Sequence, residues 1–172
     1  PRGVWRAQMR LDGYEAPIEL LAELTNDGER IVVDFAHSPD SLERVLAVLR
    51  GFAPRRLICV FGCGGDRDRS KRPLMGAIAG RFADDIILTN DNPRSEDPAT
   101  IRAEVMAGCP HATEVGDRAE AILRGVDALG AGDALLIAGK GHETGQIIKG
   151  DIYPFDDVEQ ASIAVAALDG VI

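Results

Sequence analysis

Basic residues are in short supply in this chain. It carries 19 Lys and Arg against 28 Asp and Glu over 172 residues, a formal net charge of −9. That balance is the reverse of a nucleic-acid footprint, which needs clustered cations on a basic domain. Long apolar runs are missing too, and none approaches the ~20 residues of a membrane-spanning helix. Cysteine is sparse and odd in number, at 3, which excludes the paired framework of a small secreted scaffold. Cys59 falls in an apolar run and is expected to act as a small buried hydrophobe. A zinc site built from Cys59, Cys63 and the histidines lacks the CxxC or HxxxH spacing. Pro1 to Trp5 has no Met and no signal-peptide h-region follows. The expectation is a cytoplasmic chain that is a piece of something longer.

Several chemical signatures are also absent. A GxGxxG fingerprint would need glycine after Gly62 and Gly64 where Arg67 stands. No GxxxxGK[ST] string and no GxSxG elbow occurs. The chain is therefore not a standard dinucleotide binder, cannot cradle a triphosphate in the usual way by itself, and has no hydrolase nucleophile elbow. No internal repeat or low-complexity stretch is present.

What is present is a globular composition, 45% hydrophobic and 27% charged, with a length that suits one domain and a sizeable core. Short β-branched runs alternate with amphipathic stretches. Ile31 to Phe35 reads as a buried strand, and Ser38-Pro39 as an N-cap with proline at the first helical position. Leu42, Val45, Leu46 and Leu49 then mark one helix face, with Gly51 and Pro54 as its stop. Strands are expected at Leu57–Phe61, Ile86–Thr89, Thr113–Val115 and Ala134–Ala138. Helices are expected at Pro73–Phe82 (Leu74, Ile78 and Phe82 inward), Ala99–Ala107, Arg118–Leu129 and Asp157–Leu168. Ile18 to Thr25 is a candidate antiparallel strand turning at Asn26-Asp27-Gly28, and Ile147 to Tyr153 a hairpin or strand. Trp5 and Tyr153 read as packing residues. The fold class is α/β: a three-layer, mostly parallel Rossmann-like sheet of about six strands, one antiparallel, with helices on both faces.

In such a sheet ligands gather beyond the carboxyl ends of the strands, and four loops there share one rim. The first is Asp34 to Asp40, with His37, which otherwise serves to cap the following helix. The second, Gly62 to Arg72, places Arg67, Arg69, Lys71 and Arg72 among glycines. It is a solvated turn with Asp66 and Asp68 as partners, or an anion cradle; three more polar loops beside it favour an anionic ligand. In the third, Pro93 stiffens Asp91-Asn92-Pro93-Arg94, so that Asn92 and Arg94 project from a fixed turn. A guanidinium fork there matches a carboxylate; the alternative is a turn before Ala99 with Arg94 in water. The fourth, Gly139 to Glu143, offers two glycines for close approach and a carboxylate for an ammonium group. His111, next to Pro110, reads as structural or exposed.

These strings, in this order, resemble the C-terminal domain of Mur ligases, the type that adds meso-diaminopimelate. The resemblance runs from about Ile31 to Leu168 and rests on VDFAHSPD, GCGGDRD with Lys71-Arg72-Pro73, the Asp91–Arg94 turn and the Gly139–Glu143 loop. It implies a lid domain (residues 31–172) of an ATP- and Mg2+-dependent amide ligase acting through an acyl phosphate on the UDP-N-acetylmuramoyl dipeptide. The P-loop would lie in a central domain absent from this chain, which alone would be inactive. By carry-over, Arg67, Asp91, Asn92, Pro93, Arg94, Gly139 and Glu143 would contact meso-diaminopimelate. Arg67 and Arg94 would hold carboxylates and Glu143 the distal ammonium, while Asp34 and His37 would touch the nucleotide. No covalent nucleophile and no metal ligand is implied here, and a monomer without nucleic-acid or membrane partners is expected. Phe35 and Ser38 stand where the family usually has Tyr and Thr. Residues 1–30 match poorly, with Arg6-Ala7-Gln8-Met9 where a Gly-Arg-[Leu/Met]-Glu string is expected, and are assigned to an interdomain hinge. A non-catalytic amino-acid or nucleotide binding module on the same fold is the alternative; an oxidoreductase lacks its glycine fingerprint.

Overall fold

The computed structural model describes residues 21–24, 30–52 and 55–170. Its strands are β1 Leu21–Leu24, β2 Arg30–Asp34, β3 Leu57–Phe61, β4 Asp85–Leu88, β5 Thr113–Glu114, β6 Ala134–Ala138, β7 Gly145–Ile148 and β8 Asp151–Pro154. The helices are α1 Pro39–Phe52, α2 Lys71–Phe82, α3 Pro98–Met106, α4 Arg118–Asp127 and α5 Asp157–Leu168. Strands β1 to β6 form one sheet in the order β1-β2-β6-β3-β4-β5, and β7 and β8 pair separately. Only β1 runs antiparallel in the large sheet, with Leu21 opposite Val33 and Leu24 opposite Arg30. That agrees with the expected antiparallel first strand; the Asn26-Asp27-Gly28 turn, Trp5 and the Arg6–Met9 string lie outside the described residues.

Strand alternation explains the three layers. In β6, Ala134, Leu136 and Ala138 face one side and pack with Leu42, Leu46, Met75, Ile101 and Val105 of α1, α2 and α3. Leu135 and Ile137 face the other and meet Ala121, Ile122, Ala161 and Ala164 of α4 and α5. Because both faces are covered, the central strands are apolar throughout, and β3 and β6 are buried at every position. Caps fix the helix starts. Ser38 and Ser41 exchange backbone N–H to Oγ bonds at 3.1 and 3.2 Å, a reciprocal box with serine in the third helical position. Asp97, Asp117 and Asp156 cap α3, α4 and α5.

The fold departs from expectation in places. Helix α1 continues through Gly51 to Phe52, because one glycine in a helix costs only about 1 kcal/mol. Helix α2 buries Arg72, Met75, Gly76 and Ala79, while Leu74, expected inside, is 55% exposed. Small residues decide that orientation. A Cβ on Gly76 would come within 2.2 Å of the Val105 carbonyl oxygen, so α2 and the end of α3 approach backbone to backbone. Tyr153, expected to pack, lies on β8 and is 51% exposed. The three cysteines are free and buried, as an apolar setting for Cys59 suggested.

Candidate functional site

The loops after β2, β3, β4 and β6 converge on a cleft of about 190 Å³. Of the residues singled out from sequence, His37, Arg67, Asp91, Asn92, Arg94, Gly139 and Glu143 line it, joined by Lys71, Cys63 and Met75. Pro93 is buried behind the wall rather than on it, and Asp34 is only 3% exposed beneath the rim.

The Asp91–Arg94 turn is splinted by the β7–β8 hairpin. Arg94 N–H donates to the Ile147 carbonyl at 3.0 Å, and Lys149 N–H to the Arg94 carbonyl at 2.7 Å. The Gln146 amide donates to the Asp91 carbonyl at 2.7 Å and Ile147 N–H to Asn92 Oδ1 at 2.9 Å. These bonds hold Arg94 in the left-handed region, φ 52°, where a non-glycine residue needs such support. Arg94 Nη1 donates to the Gly65 carbonyl at 2.8 Å, with a longer contact to the Asn92 carbonyl at 3.4 Å. Its Nε and Nη2 groups have no partner among the described residues. The Arg94 side chain is thus half-buried on the cleft wall, tied to it through Nη1.

Sequence reading passed over Lys140. It follows the wholly apolar β6, and its side chain is 0% exposed. Nζ donates to Asn92 Oδ1 at 2.8 Å and to the Gly145 carbonyl at 2.7 Å. It also stands 3.5 Å from Asp91 Oδ1 and 3.7 Å from Glu143 Oε2. Burial pulls the ammonium pKa down, against the opposing pull of Asp91. Burial likewise raises the Asp91 carboxyl, countered by Arg118 and Lys140. Asn92 Nδ2 donates to Glu143 Oε2 at 2.8 Å, so Asn92 and Glu143 present a donor and an acceptor side by side. The available signal was a lysine two residues beyond the end of a continuous buried strand, where an ammonium needs partners.

The cationic run divides. Arg72 borders the cleft, but its guanidinium is 1% exposed and already taken up by Glu96 at 2.7 and 2.9 Å, Glu104 at 2.6 Å and the Gly64 carbonyl at 3.2 Å. Hydrogen bonds from Arg72 hold the Glu96 carboxyl down at about 2. Arg69 turns to Glu104. The acidic partners therefore come from α3 and its approach rather than from Asp66 and Asp68, which accept from Ser95 and Ser70. Arg67 and Lys71 remain on the cleft. The loop lies close against the neighbouring turn, because a Cβ on Gly65 would meet the Pro93 carbonyl oxygen at 1.9 Å. Glycine there lets Gly65 N–H donate to the Asn92 carbonyl at 2.8 Å.

With the site assembled, its relatives are informative. The family model described as Mur ligase, glutamate ligase domain, matches residues 18–141. The chain belongs to the Mur ligase family. It is 53% identical over 165 residues, 96% of this chain and 34% of the relative, to the UDP-N-acetylmuramoyl-L-alanyl-D-glutamate–2,6-diaminopimelate ligase of Agrobacterium fabrum. It is 54% identical over 155 residues, 90% of this chain and 32% of the relative, to the ligase of that name from Chelativorans sp.. A solved structure of a ligase with that name superimposes with a TM-score of 0.82 at 43% identity, covering 92% of this chain and 33% of that one. The chain thus spans about a third of the length of the curated relatives it matches.

The two residues that the resemblance assigns to a nucleotide, Asp34 and His37, differ in exposure. The His37 Nδ1 lies 2.8 Å from the Phe35 carbonyl; a carbonyl only accepts, so Nδ1 carries the proton and Nε2 is left for a ligand. The Phe35 ring packs against both the His37 ring and the His142 ring, with centroids 4.4 and 5.3 Å away respectively. Ser38, not His37, caps α1. The His37 imidazole is exposed, whereas the Asp34 carboxylate lies below the surface. Among the described residues no group of three or more His, Cys, Asp or Glu is placed to hold a metal ion.

Asp34 matters for stability instead. Burial raises its carboxyl from the ordinary 3.8 to about 6, offset in part by the Ala36 N–H and by His37, and Oδ2 has no partner. A raised carboxyl favours the folded state below the unfolded pKa and loses that contribution as pH climbs through 6. Asp34→Asn should remove a decline of roughly 3 kcal/mol between about pH 4 and 7. Denaturant midpoints of both proteins across that range check it; parallel curves would place the titration elsewhere.

Proposed function

We propose that this chain is the amino-acid-binding domain (residues 31–172) of a cytoplasmic, ATP-dependent ligase that joins meso-diaminopimelate to the UDP-N-acetylmuramoyl dipeptide. The observation that carries the reading is the cleft itself: a guanidinium with free N–H groups at Arg94 and a carboxylate at Glu143, linked through Asn92. Arg94 and Arg67 bind carboxylates of the amino acid, Asn92 adds a donor, and Glu143 holds an ammonium. Asp91 and Gly139 form the floor between them. His37 meets the nucleotide through Nε2. ATP, bound mainly outside this chain, supplies the phosphoryl group that activates the dipeptide carboxylate. This domain's share of catalysis is to bring the free amine against that activated carbon, a positioning effect worth several powers of ten. No side chain here acts as a covalent nucleophile.

The curated relatives described above carry ligase names, which weighs against a non-catalytic binding module. A phosphate-release assay on the complete polypeptide containing this chain, with ATP, Mg2+ and the UDP-dipeptide, tests the proposal. Turnover is expected with meso-diaminopimelate and about 100-fold or more below that with lysine, since lysine leaves Arg94 unpaired. Equal rates with both amino acids, or none with either, would overturn it.

A further inference from the structure

We infer that Lys140, which does not face the cleft, is a positioning residue that fixes the direction of the Asn92 amide and so makes Asn92 a donor to the anionic end of the amino acid. This rests on the functional reading above. A primary amide is nearly symmetric in shape, so only its partners decide which end faces the ligand. Here Oδ1 accepts twice, from Lys140 Nζ at 2.8 Å and from Ile147 N–H at 2.9 Å, which uses both lone pairs. Nδ2 gives one proton to Glu143 Oε2 at 2.8 Å, and its second proton is left for the cleft. A flipped amide would set NH2 against an ammonium and a backbone N–H, and would set its oxygen against a carboxylate.

Lys140 also fixes what Asn92 touches. Its ammonium lies between the Asp91 and Glu143 carboxylates, at 3.5 and 3.7 Å, and is anchored from below by the Gly145 carbonyl at 2.7 Å. Without that charge the two carboxylates repel, Oδ1 keeps one donor, and Glu143 is released from its bond to Nδ2. Lys140 thereby turns Asn92 and Glu143 into one rigid reader, a donor for a carboxylate next to an acceptor for an ammonium. That is the pattern of a zwitterionic amino-acid centre.

The test is a double-mutant cycle in the complete ligase. Lys140→Met keeps length and apolar bulk but removes charge and donors. It is expected to raise the KM for meso-diaminopimelate at least tenfold and to leave the KM values for ATP and the UDP-dipeptide within twofold. In an Asn92→Ala background, Lys140→Met should raise the amino-acid KM by clearly less than it does with Asn92 present, because the part of its effect that runs through Asn92 is gone and only its charge on Asp91 and Glu143 remains. A purely structural lysine would instead lower the amount of active enzyme and leave all KM values alone. Lys140→Leu, which also lacks charge and donors, gives the same comparison if the methionine variant does not fold. An unchanged amino-acid KM in either variant, or fully additive effects in the cycle, overturns the role of Lys140 with the functional reading intact. Absence of meso-diaminopimelate-dependent turnover in the unaltered ligase overturns both.

Discussion

Replacing Arg94 by alanine should raise the KM for meso-diaminopimelate by about 100- to 1,000-fold, roughly 3–4 kcal/mol, while the weak reaction with lysine changes less than about threefold. The asymmetry follows from geometry. Arg94 spends Nη1 on the Gly65 carbonyl at 2.8 Å and keeps Nε and Nη2 on the cleft wall. A second carboxylate answers those groups, and a lysine side chain has none. Losing the guanidinium therefore removes an attraction for one substrate and little from the other, and selectivity collapses from the diaminopimelate side. Arg94→Lys should not restore it, because an ammonium cannot hold the Gly65 carbonyl and a carboxylate with the same planar fork. Steady-state kinetics with both amino acids measure the effect; a selectivity ratio unchanged in Arg94→Ala would move the recognition to Arg67.

The strands and the rim were legible because they rest on local rules. β3, β6 and α5 fall at the boundaries their apolar runs and caps indicate, and the four polar loops meet because parallel strands end on one edge. What escaped were partners far apart in sequence. Arg72 reads as one of four cations in a loop, yet its partners are Glu96 and Glu104, brought in by α3. Lys140 has no evident role in the sequence, because its partners Asn92, Asp91 and the Gly145 carbonyl come from the β4 loop and the β7–β8 hairpin. The inward face of α2 was misread because periodicity weighs large apolar residues, whereas Gly76 and Ala79 bury through closeness of backbone. The hairpin itself was expected, but its function as the splint behind Arg94 depends on pairing that no local pattern encodes.

A second large effect concerns Arg118, which joins the rim to the core. Its guanidinium and the Asp157 carboxylate are both 0% exposed, bonded twice at 2.7 Å. Burial alone would pull the guanidinium down; the charge and hydrogen bonds of Asp157 outweigh it and leave the pKa raised. The remaining donors reach the Ala138 carbonyl at 3.0 Å and the Asn90 carbonyl at 3.3 Å. Those carbonyls immediately precede Gly139 and Asp91, so one side chain ties together the roots of two substrate loops. Arg118→Met should cost about 3–5 kcal/mol of unfolding free energy, since it strands a buried carboxylate. Adding Asp157→Leu should recover most of that loss, because an apolar pair of similar volume fills the gap without an unpaired charge. Denaturant midpoints report both changes. The recovered double variant still lacks donors to Asn90 and Ala138, so its amino-acid KM should stay elevated by about tenfold, the cost of losing the hydrogen bonds to the two loop bases. Stability restored with binding still impaired would show that the pair is kept for loop geometry; stability and binding restored together would make it a packing element alone.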